Sequence, residues 1–296
     1  MSTDAAPAAT PDVAFVGLGL MGRHMAGHLQ RAGHRMHLHN RSRAGAEPLL
    51  AQGAAWYPSA GEAAAHADVV ITIVGFPSDV ETLYLGPGGI VERARPGALL
   101  IDMTTSSPDL AVRIAAAAAA RGLQSLDAPV SGGDVGAREA RLSIMTGGDA
   151  AAFERARPLL ERMGANVVRQ GGPGAGQHAK LANQIVIAST MMGVAEGLAY
   201  ARRAGLDAST VLGSIRGGAA GSFLLDAMGP RMLKGDYAAG FFTEHFVKDL
   251  GLALAEAGRM GLELPGLALA KRLYDALVAE GRARDGTQVL FARYGG

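Results

Sequence analysis

Residues 12–22 read "DVAFVGLGLMG", a short apolar run followed by three glycines in the spacing G-x-G-x-x-G. With 42 glycines in 296 residues, about one chance match to this spacing is expected, so the spacing alone predicts little. Here the glycines directly follow a predicted strand, Val13 to Val16, and open a predicted helix. In that context Gly17 permits a tight turn, Gly19 lets the backbone approach a pyrophosphate, and Gly22 packs the helix against the sheet. The predicted cofactor-binding loop comprises Gly17, Leu18, Gly19, Leu20, Met21 and Gly22.

Around this loop, the first half of the chain alternates strand-like runs with alanine-rich segments. The strand-like runs occupy residues 12–17, 35–40, 68–75, 98–103, 123–130, 141–148 and 165–170. We interpret the run "IAAAAAAR" (114–121) as helix, because alanine is the best helix former. Alternation of this kind predicts an α/β domain of the doubly wound Rossmann type, with a mostly parallel sheet.

The pattern changes at the glycine cluster "RQGGPGAG" (169–176), after which strand-like runs stop. We therefore predict a Rossmann domain over residues 12–172 and an all-helical domain over residues 173–296. A long interdomain helix, from about residue 174 to about residue 204, would join them and would measure roughly 45 Å. It would run along the boundary between the domains, where small-molecule sites tend to lie.

Composition excludes several classes of protein. The 28 basic and 27 acidic residues give a net charge of +1, which argues against a nucleic-acid groove or an anionic membrane face. Cysteine is absent, as fits the reducing cytoplasm. Residues 1–10 lack the pattern of a signal peptide and are predicted to be a loose leader. The longest uncharged apolar stretch, Leu181 to Ala195, has 15 residues and is too short to span a bilayer. We expect a soluble, cytoplasmic protein.

The second predicted strand ends in "HNRSR" (39–43). In NAD-selective loops an acidic residue near this place bonds the ribose hydroxyls. Here Asn40 takes that place, and Arg41 and Ser42 follow it. A cation beside a hydroxyl suits a 2′-phosphate, although a solvated basic turn is the alternative. We predict cofactor contacts at Asn40, Arg41 and Ser42, with NADP preferred and NAD possible.

The long helix contains a lone lysine. In residues 172–200 no charged side chain follows Lys180 until Glu196. Lys180, Asn183 and Gln184 share a helix face, so they can point into one pocket. A lysine in a partly dry cleft can act as a general acid toward a carbonyl oxygen. The alternative is a lysine at an exposed helix start, with its ammonium group in water.

Most of that helix should be buried. The apolar residues expected in its core contacts are Leu181, Ile185, Val186 and the pair Met191–Met192.

Two further motifs carry weaker signals. "DAPVSGG" (127–133) follows a strand, and its serine hydroxyl and backbone N–H groups could hold a carboxylate, although a plain turn is equally consistent. "EHFVKDLGLALAEAGRMG" (244–261) places Lys248 and Asp249 before an amphipathic helix, where such a pair is usually a solvated face. The histidine spacings match no familiar metal set, so no metal site is predicted.

Taken together, the motifs "GLGLMG", "IDMTT", "DAPVSGG", "GAGQHAKLANQ" and "KDLGLA" resemble the β-hydroxyacid dehydrogenase family. This group includes 3-hydroxyisobutyrate dehydrogenase, tartronate semialdehyde (2-hydroxy-3-oxopropionate) reductase and glyoxylate reductases. The resemblance extends from about Asp12 to Ala292. It implies a Rossmann domain, a long interdomain helix, a helical domain and assembly into homodimers or homotetramers.

The resemblance also implies roles for individual residues. Lys180 matches the family's catalytic lysine, and Thr105 and Lys248 match cofactor contacts near the nicotinamide. The carboxylate-binding turn corresponds to Ser131, Gly132 and Gly133. We predict further cofactor contacts at Val74 and Gly75, which end the strand-like run 68–75.

One position departs from the family pattern. Many members have asparagine four residues after the lysine, whereas here Gln184 stands there and Asn183 precedes it. Both amides are therefore retained as substrate-binding candidates. "KLANQ" and "IRGGAAGS" (215–222) are most similar to the tartronate semialdehyde reductases.

The predicted activity is hydride transfer between NADP or NAD and a small, carboxylate-bearing 3-hydroxy acid or its semialdehyde, with Lys180 as general acid and base. One alternative is an imine reductase-like NADPH enzyme, but those typically lack the lysine. Another is a non-catalytic NADP-binding sensor or scaffold, whose degenerate relatives also lose it.

Overall fold

The structure is a computed structural model that describes residues 10–295. Most of the predicted leader, residues 1–9, lies outside the described part. The described chain divides into two compact units, the first ending at Lys180 and the second beginning at Leu181.

The first unit is built on a nine-stranded sheet. Its strands are β1 (Val13–Val16), β2 (Met36–His39), β3 (Ala55–Trp56), β4 (Val69–Thr72), β5 (Leu99–Asp102), β6 (Gln124–Asp127), β7 (Val130–Ser131), β8 (Leu142–Gly148) and β9 (Gly164–Gly171). The order is β3-β2-β1-β4-β5-β6-β8-β7, and β9 pairs with β8. Neighbours from β3 to β6 are parallel, and β8 runs antiparallel to β6 and β7. The order 3-2-1-4-5-6 is that of the doubly wound dinucleotide-binding fold.

Helices connect these strands. They are α1 (Gly22–Arg31), α2 (Glu47–Leu50), α3 (Ala60–Ala64), α4 (Pro77–Leu85), α5 (Ile90–Arg93), α6 (Pro108–Ala119), α7 (Gly133–Arg138), α8 (Ala150–Leu160) and the start of α9 (Ala175–Arg203). Successive side chains of a strand point to opposite faces. In β1, Val13 and Phe15 belong to one apolar core, whereas Ala14 and Val16 belong to another. Both faces of the sheet are therefore covered, which confirms the predicted doubly wound architecture.

Two details of the sheet differ from the sequence prediction. The strand β3 was not predicted, because its two residues are too few to show a periodic pattern. The single run predicted over 123–130 forms two strands, β6 and β7. The break falls at Pro129, which has no backbone N–H with which to continue a ladder.

The second unit is helical, as predicted. It contains the rest of α9, then α10 (Ala208–Ile215), α11 (Phe223–Leu233), α12 (Thr243–Arg259), α13 (Pro265–Ala279) and a 3-10 helix over Thr287–Tyr294. Phe246 and Tyr274 meet edge to face in its core, with ring centroids 5.0 Å apart. The Tyr274 hydroxyl donates a hydrogen bond to the Thr287 carbonyl, 2.8 Å away, so this buried polar group is satisfied.

The helix α9 spans Ala175–Arg203, close to its predicted bounds. Leu181, Met191 and Met192 are buried as expected, but Val186 is 65% exposed and its predicted burial is wrong. Val186 follows Leu181 by five residues, about 140° around the helix, and so lies away from the core that Leu181 contacts. Among the described residues, α9 is the one helix that is long and apolar enough to cross a membrane, judged by length and composition alone. Core helices of soluble proteins meet the same criterion.

Candidate cofactor and substrate site

Of the three glycines in the loop between β1 and α1, one has space for a side chain and two do not. Gly17 has a φ of +96°, and a Cβ atom there would collide with the Ile73 carbonyl oxygen. A Cβ atom at Gly22 would collide with the Gly17 carbonyl oxygen, whereas one at Gly19 would meet no atom within 4 Å. Gly17 and Gly22 therefore close the turn, and Gly19 leaves space before the first turn of α1. An open backbone at a helix start fits a dinucleotide pyrophosphate.

Asn40 joins the end of β2 to this loop. Its Oδ1 accepts a hydrogen bond from the Leu18 backbone N–H at 3.0 Å, and its Nδ2 donates to the Ser42 carbonyl at 2.8 Å. The structure thus gives Asn40 a role in shaping the loop. Arg41 and Ser42 are exposed beside it, and the Arg43 Nε lies 3.2 Å from the Glu47 carboxylate on the surface.

A buried network orders the loops that follow β4 and β5. The Asp102 Oδ1 accepts hydrogen bonds from the Thr72 hydroxyl at 2.8 Å and from the Thr104 backbone N–H at 3.1 Å. The Thr104 hydroxyl in turn accepts a hydrogen bond from the Val74 backbone N–H at 3.0 Å. Both loops are therefore held at their first residues. They carry the predicted cofactor contacts Val74, Gly75 and Thr105, all half-buried.

Burial raises the pKa of Asp102 to about 6, although hydrogen bonds from Thr104 and Thr72 oppose the shift. Ionised carboxylates are disfavoured away from water. The free energy of unfolding therefore depends on pH through the protonation of Asp102.

Asp127, at the end of β6, holds the start of α9. It is in register with Asp102 on the adjacent strand. Its Oδ1 accepts from the Gly174 N–H and its Oδ2 from the Gln177 N–H, each at 2.8 Å. Gly174 directly precedes α9 and Gln177 lies in its first turn, where the N–H groups have no partners within the helix. Burial raises the pKa of Asp127, against the lowering effect of these hydrogen bonds.

The Asp127 carboxylate also requires two glycines. A Cβ atom at Gly147 would lie 2.5 Å from its Oδ1. A Cβ atom at Gly176 would lie 2.8 Å from its Oδ2. No role is predicted for Asp127 from the sequence. A signal was present, however, because "GGPGA" (171–175) offers no side-chain oxygen to cap α9, so the cap has to come from elsewhere in the fold.

Gln177 is a second residue without a role predicted from the sequence. Its side chain is fully buried. The Nε2 donates to the Thr104 carbonyl and the Oε1 accepts from the Ser106 N–H, each at 2.8 Å. Nothing in the local sequence signals these contacts, which join positions 73 and 71 residues apart.

Lys180 lies one turn further along α9 and is 5% exposed. This burial argues against the alternative of a lysine at an exposed helix start. Gln177 and Lys180 are three residues apart and share a helix face, so the turn that carries Lys180 follows directly from the anchored first turn.

The Ser131 turn leads from β7 into α7. Ser131 is half-buried and pairs with Ser143 of β8. Gly132 and Gly133 have φ values of +130° and +62°, a region that favours glycine. The chain thus needs both glycines to turn directly after the serine.

In the second unit, the polar residues form a hydrogen-bonded chain. The Asn183 Nδ2 donates to the Gln184 Oε1 at 2.8 Å, and the Gln184 Nε2 donates to the Asp249 Oδ2 at 2.6 Å. Lys248 Nζ lies 2.9 Å from the Asp249 Oδ1. Asp249 is fully buried, so the expectation that Lys248 and Asp249 form a solvated face is wrong. A buried carboxylate requires such partners. The cofactor contact of Lys248 and the substrate contacts of Asn183 and Gln184 stay predictions.

The sheet order, the glycine loop and the ordered strand ends define a dinucleotide-binding domain of the Rossmann type. Among the residues that the structure describes, no group of three or more histidine, aspartate or glutamate side chains could hold a metal ion.

Comparison with protein families gives one match to each of the two parts of the chain. Residues 12–172 match the NAD-binding domain of 6-phosphogluconate dehydrogenase. Residues 174–293 match the NAD-binding family of NADP-dependent 3-hydroxyisobutyrate dehydrogenase.

Named relatives cover most of the chain. "Probable 3-hydroxyisobutyrate dehydrogenase-like 1, mitochondrial" of Arabidopsis thaliana is 49% identical, over 98% of this chain and 87% of its own length. The 3-hydroxyisobutyrate dehydrogenase of Pseudomonas aeruginosa is 41% identical, over 89% of this chain and 91% of its own. The 2-hydroxy-3-oxopropionate reductase of Escherichia coli is 40% identical, over 90% and 91%.

Solved structures are also similar. The Mycobacterium tuberculosis 3-hydroxyisobutyrate dehydrogenase with L-serine has a TM-score of 0.87 and 34% identity, and the match covers 97% of this chain and all of that one. The structure of Psf3 in complex with NADP+ and 2-OPP has a TM-score of 0.87 and 28% identity, and the match covers 95% of this chain and 99% of that one.

The chain therefore belongs to the β-hydroxyacid dehydrogenase family. It is an NAD(P)-dependent 3-hydroxyacid dehydrogenase of the 3-hydroxyisobutyrate dehydrogenase and tartronate semialdehyde reductase type. The resemblance, the fold class and the prediction that the protein is an enzyme are confirmed.

Proposed function

We propose that the protein transfers a hydride between nicotinamide C4 and C3 of a small 3-hydroxy acid or its semialdehyde, with Lys180 as the general acid and base. The observation that carries this proposal is the burial of Lys180 one turn after a helix start anchored by Asp127. A buried ammonium group on a rigid element is suited to donate a proton at a defined place.

The nicotinamide, when bound, supplies or accepts the hydride. In reduction, Lys180 Nζ donates a proton to the oxygen on C3 as the aldehyde becomes an alcohol. In oxidation it takes that proton back. The Ser131 hydroxyl and the N–H groups of Gly132 and Gly133 hold the carboxylate of the substrate, so that C3 is kept in one orientation.

The substrate class follows from what the relatives share. 3-Hydroxyisobutyrate, 2-hydroxy-3-oxopropionate and L-serine, named with those relatives, each have a carboxylate and an oxygen on C3. The segments "KLANQ" and "IRGGAAGS" favour the tartronate semialdehyde reductase type. We therefore expect short 3-oxo acids to be reduced faster than aldehydes without a carboxylate.

For the cofactor we propose a preference for NADPH over NADH. Arg41 and Ser42 are exposed beside the glycine loop, and no acidic residue occupies residues 39–43. A guanidinium group forms charge-assisted hydrogen bonds with a phosphate. The NADP+ bound in the Psf3 structure agrees with this preference.

We also propose a cytoplasmic homodimer or homotetramer, as the resemblance implies. Light scattering of the purified protein measures the assembly, and a monomer at micromolar concentration would contradict it.

The activity is tested by mixing the purified protein with NADPH or NADH and four carbonyl substrates, while the absorbance of the reduced cofactor is followed. The substrates are tartronate semialdehyde, methylmalonate semialdehyde, succinic semialdehyde and glyoxylate. We expect the two 3-oxo acids to be reduced with the highest kcat/KM. Tight NADPH binding without turnover of either would contradict the proposal.

A further inference from the structure

Thr105 is flanked by two peptide groups, and the side chain of Gln177 binds both of them. The Thr104 carbonyl accepts from the Gln177 Nε2, and the Ser106 N–H donates to the Gln177 Oε1, each at 2.8 Å. One carboxamide thus holds the backbone on either side of a single residue.

Gln177 is itself held. Its backbone N–H donates to the Asp127 Oδ2 at 2.8 Å, and its side chain is fully buried. Because both polar atoms of the buried carboxamide have partners, moving it would leave groups unsatisfied at a cost in free energy. The end of β6, the first turn of α9 and the loop after β5 are therefore joined by hydrogen bonds through this one residue.

The same loop is held from its other side by β5. The Thr104 N–H donates to the Asp102 Oδ1 at 3.1 Å. Three backbone groups around Thr105 are thus fixed by Asp102 and Gln177, so the position of Thr105 is set by a carboxylate on the sheet and by an amide on α9.

We infer that Gln177 is a positioning residue, which keeps Thr105 in fixed register with Lys180. This inference rests on the proposed function, in which Thr105 contacts the nicotinamide end of the cofactor and Lys180 transfers the proton. Gln177 contacts the backbone next to Thr105 and lies one helical turn before Lys180, so its loss would weaken cofactor binding through Thr105.

A double-mutant cycle on NADPH binding tests this. The dissociation constant is measured by fluorescence titration for the wild type, Gln177→Ala, Thr105→Ala and the double variant. We expect Gln177→Ala to weaken binding about tenfold in the wild type but only about twofold in the Thr105→Ala background, because residues that act through one another are not additive. Equal factors in both backgrounds, or no weakening at all, would overturn the inference.

Gln177→Glu gives a second measurement that does not depend on a truncated side chain. An ionised Glu at this position keeps an acceptor for the Ser106 N–H but faces the Thr104 carbonyl without a donor. When protonated, it can donate again. We expect the NADPH affinity of Gln177→Glu, as a ratio to that of the wild type, to rise at least threefold from pH 8 to pH 6. Asp102 and Asp127 are the neighbouring carboxyl groups, and both are present in the wild type, which therefore serves as the reference at each pH. A ratio independent of pH would contradict the inference.

Gln30→Glu is the matched control. The Gln30 Nε2 also bridges two backbone carbonyls, those of Leu49 and Gln52, at 3.0 and 3.1 Å. This variant should lose thermal stability without any change in NADPH binding. Weakened binding equal to that of Gln177→Glu would show that general destabilisation is the cause. Because these readouts need no substrate, a wild type that binds NADPH without turnover would contradict the proposed function alone.

Discussion

Gly22 packs directly against the carbonyl oxygen of Gly17 and leaves no room for a Cβ atom, whereas the space at Gly19 is open. We therefore expect a substitution at Gly22 to affect mainly stability and one at Gly19 to affect mainly cofactor binding. Gly22→Ala should lower the melting temperature clearly. Gly19→Ala should change the free energy of unfolding by no more than about 1 kcal/mol, yet weaken NADPH binding at least tenfold, because its methyl group occupies the place of the pyrophosphate. Thermal melts and fluorescence titrations measure both, and normal NADPH affinity of Gly19→Ala would contradict this assignment.

Replacement of Lys180 tests the proton transfer. Lys180→Ala should lower kcat by a factor on the order of 10² or more, because proton transfer is lost while dinucleotide binding is kept. The dissociation constant for NADPH should stay within about twofold of the wild-type value, since the cofactor contacts are unchanged. Lys234, which is exposed, provides the control: Lys234→Ala should leave kcat unaltered. Near-normal turnover of Lys180→Ala would exclude the proposed role.

Ser131→Ala tests the carboxylate turn. Loss of a hydrogen bond to a charged group costs roughly 1.5–3 kcal/mol, about ten- to a hundredfold in kcat/KM. That loss should affect 3-oxo acids and spare aldehydes without a carboxylate. Ser143, which pairs with Ser131 across the sheet, is the control, and Ser143→Ala should leave both substrate types unaffected. If both substrate types were slowed equally by Ser131→Ala, the serine would be structural.

Arg41→Ala tests whether Arg41 binds the 2′-phosphate of NADPH. Loss of a charge-assisted contact should raise the KM for NADPH about ten- to a hundredfold and leave the KM for NADH nearly unchanged. The effect should shrink at high salt, because Arg41 is exposed to solvent. Arg43→Ala, which removes the surface pair with Glu47, should have a much smaller effect. Equal changes for both cofactors would show that residues 39–43 do not discriminate between them.

Asp102→Asn tests the cost of a buried charge. The pKa of Asp102 rises from 3.8 in the unfolded chain to about 6 in the folded protein. The folded state therefore binds the proton more tightly, and the stabilisation is complete below pH 3.8 and is lost as pH rises through 6. The shift corresponds to about 3 kcal/mol. Urea denaturation should show that the wild type, relative to Asp102→Asn, loses up to this amount of unfolding free energy between pH 4 and pH 7. Parallel stability curves would contradict the shift.

Local patterns were enough to predict the fold. The strand β1 and the glycine loop are contiguous in sequence, and the run of helices after residue 174 shows no competing pattern. The contacts that anchor Lys180 are different, because Asp127 meets Gln177 across 50 residues and no local pattern encodes that meeting. The charges of Lys248 and Asp249 were visible in the sequence, but burial of Asp249 depends on Gln184, 65 residues away. Val186 was misassigned because an apolar helix does not reveal which face meets the core.

The close packing of Gly147 and Gly176 against the Asp127 carboxylate has an evolutionary consequence. Its carboxylate, Gly147 and Gly176 occupy one small volume, and a side chain at either glycine would also meet backbone atoms there. These three positions, distant in sequence, cannot drift independently, since a change at one demands a change of the helix start itself. In an alignment, the triplet should therefore be inherited as a block wherever α9 begins in this way. Its presence in a distant homologue would report how that chain starts its long helix, and would say nothing about which acid the enzyme reduces.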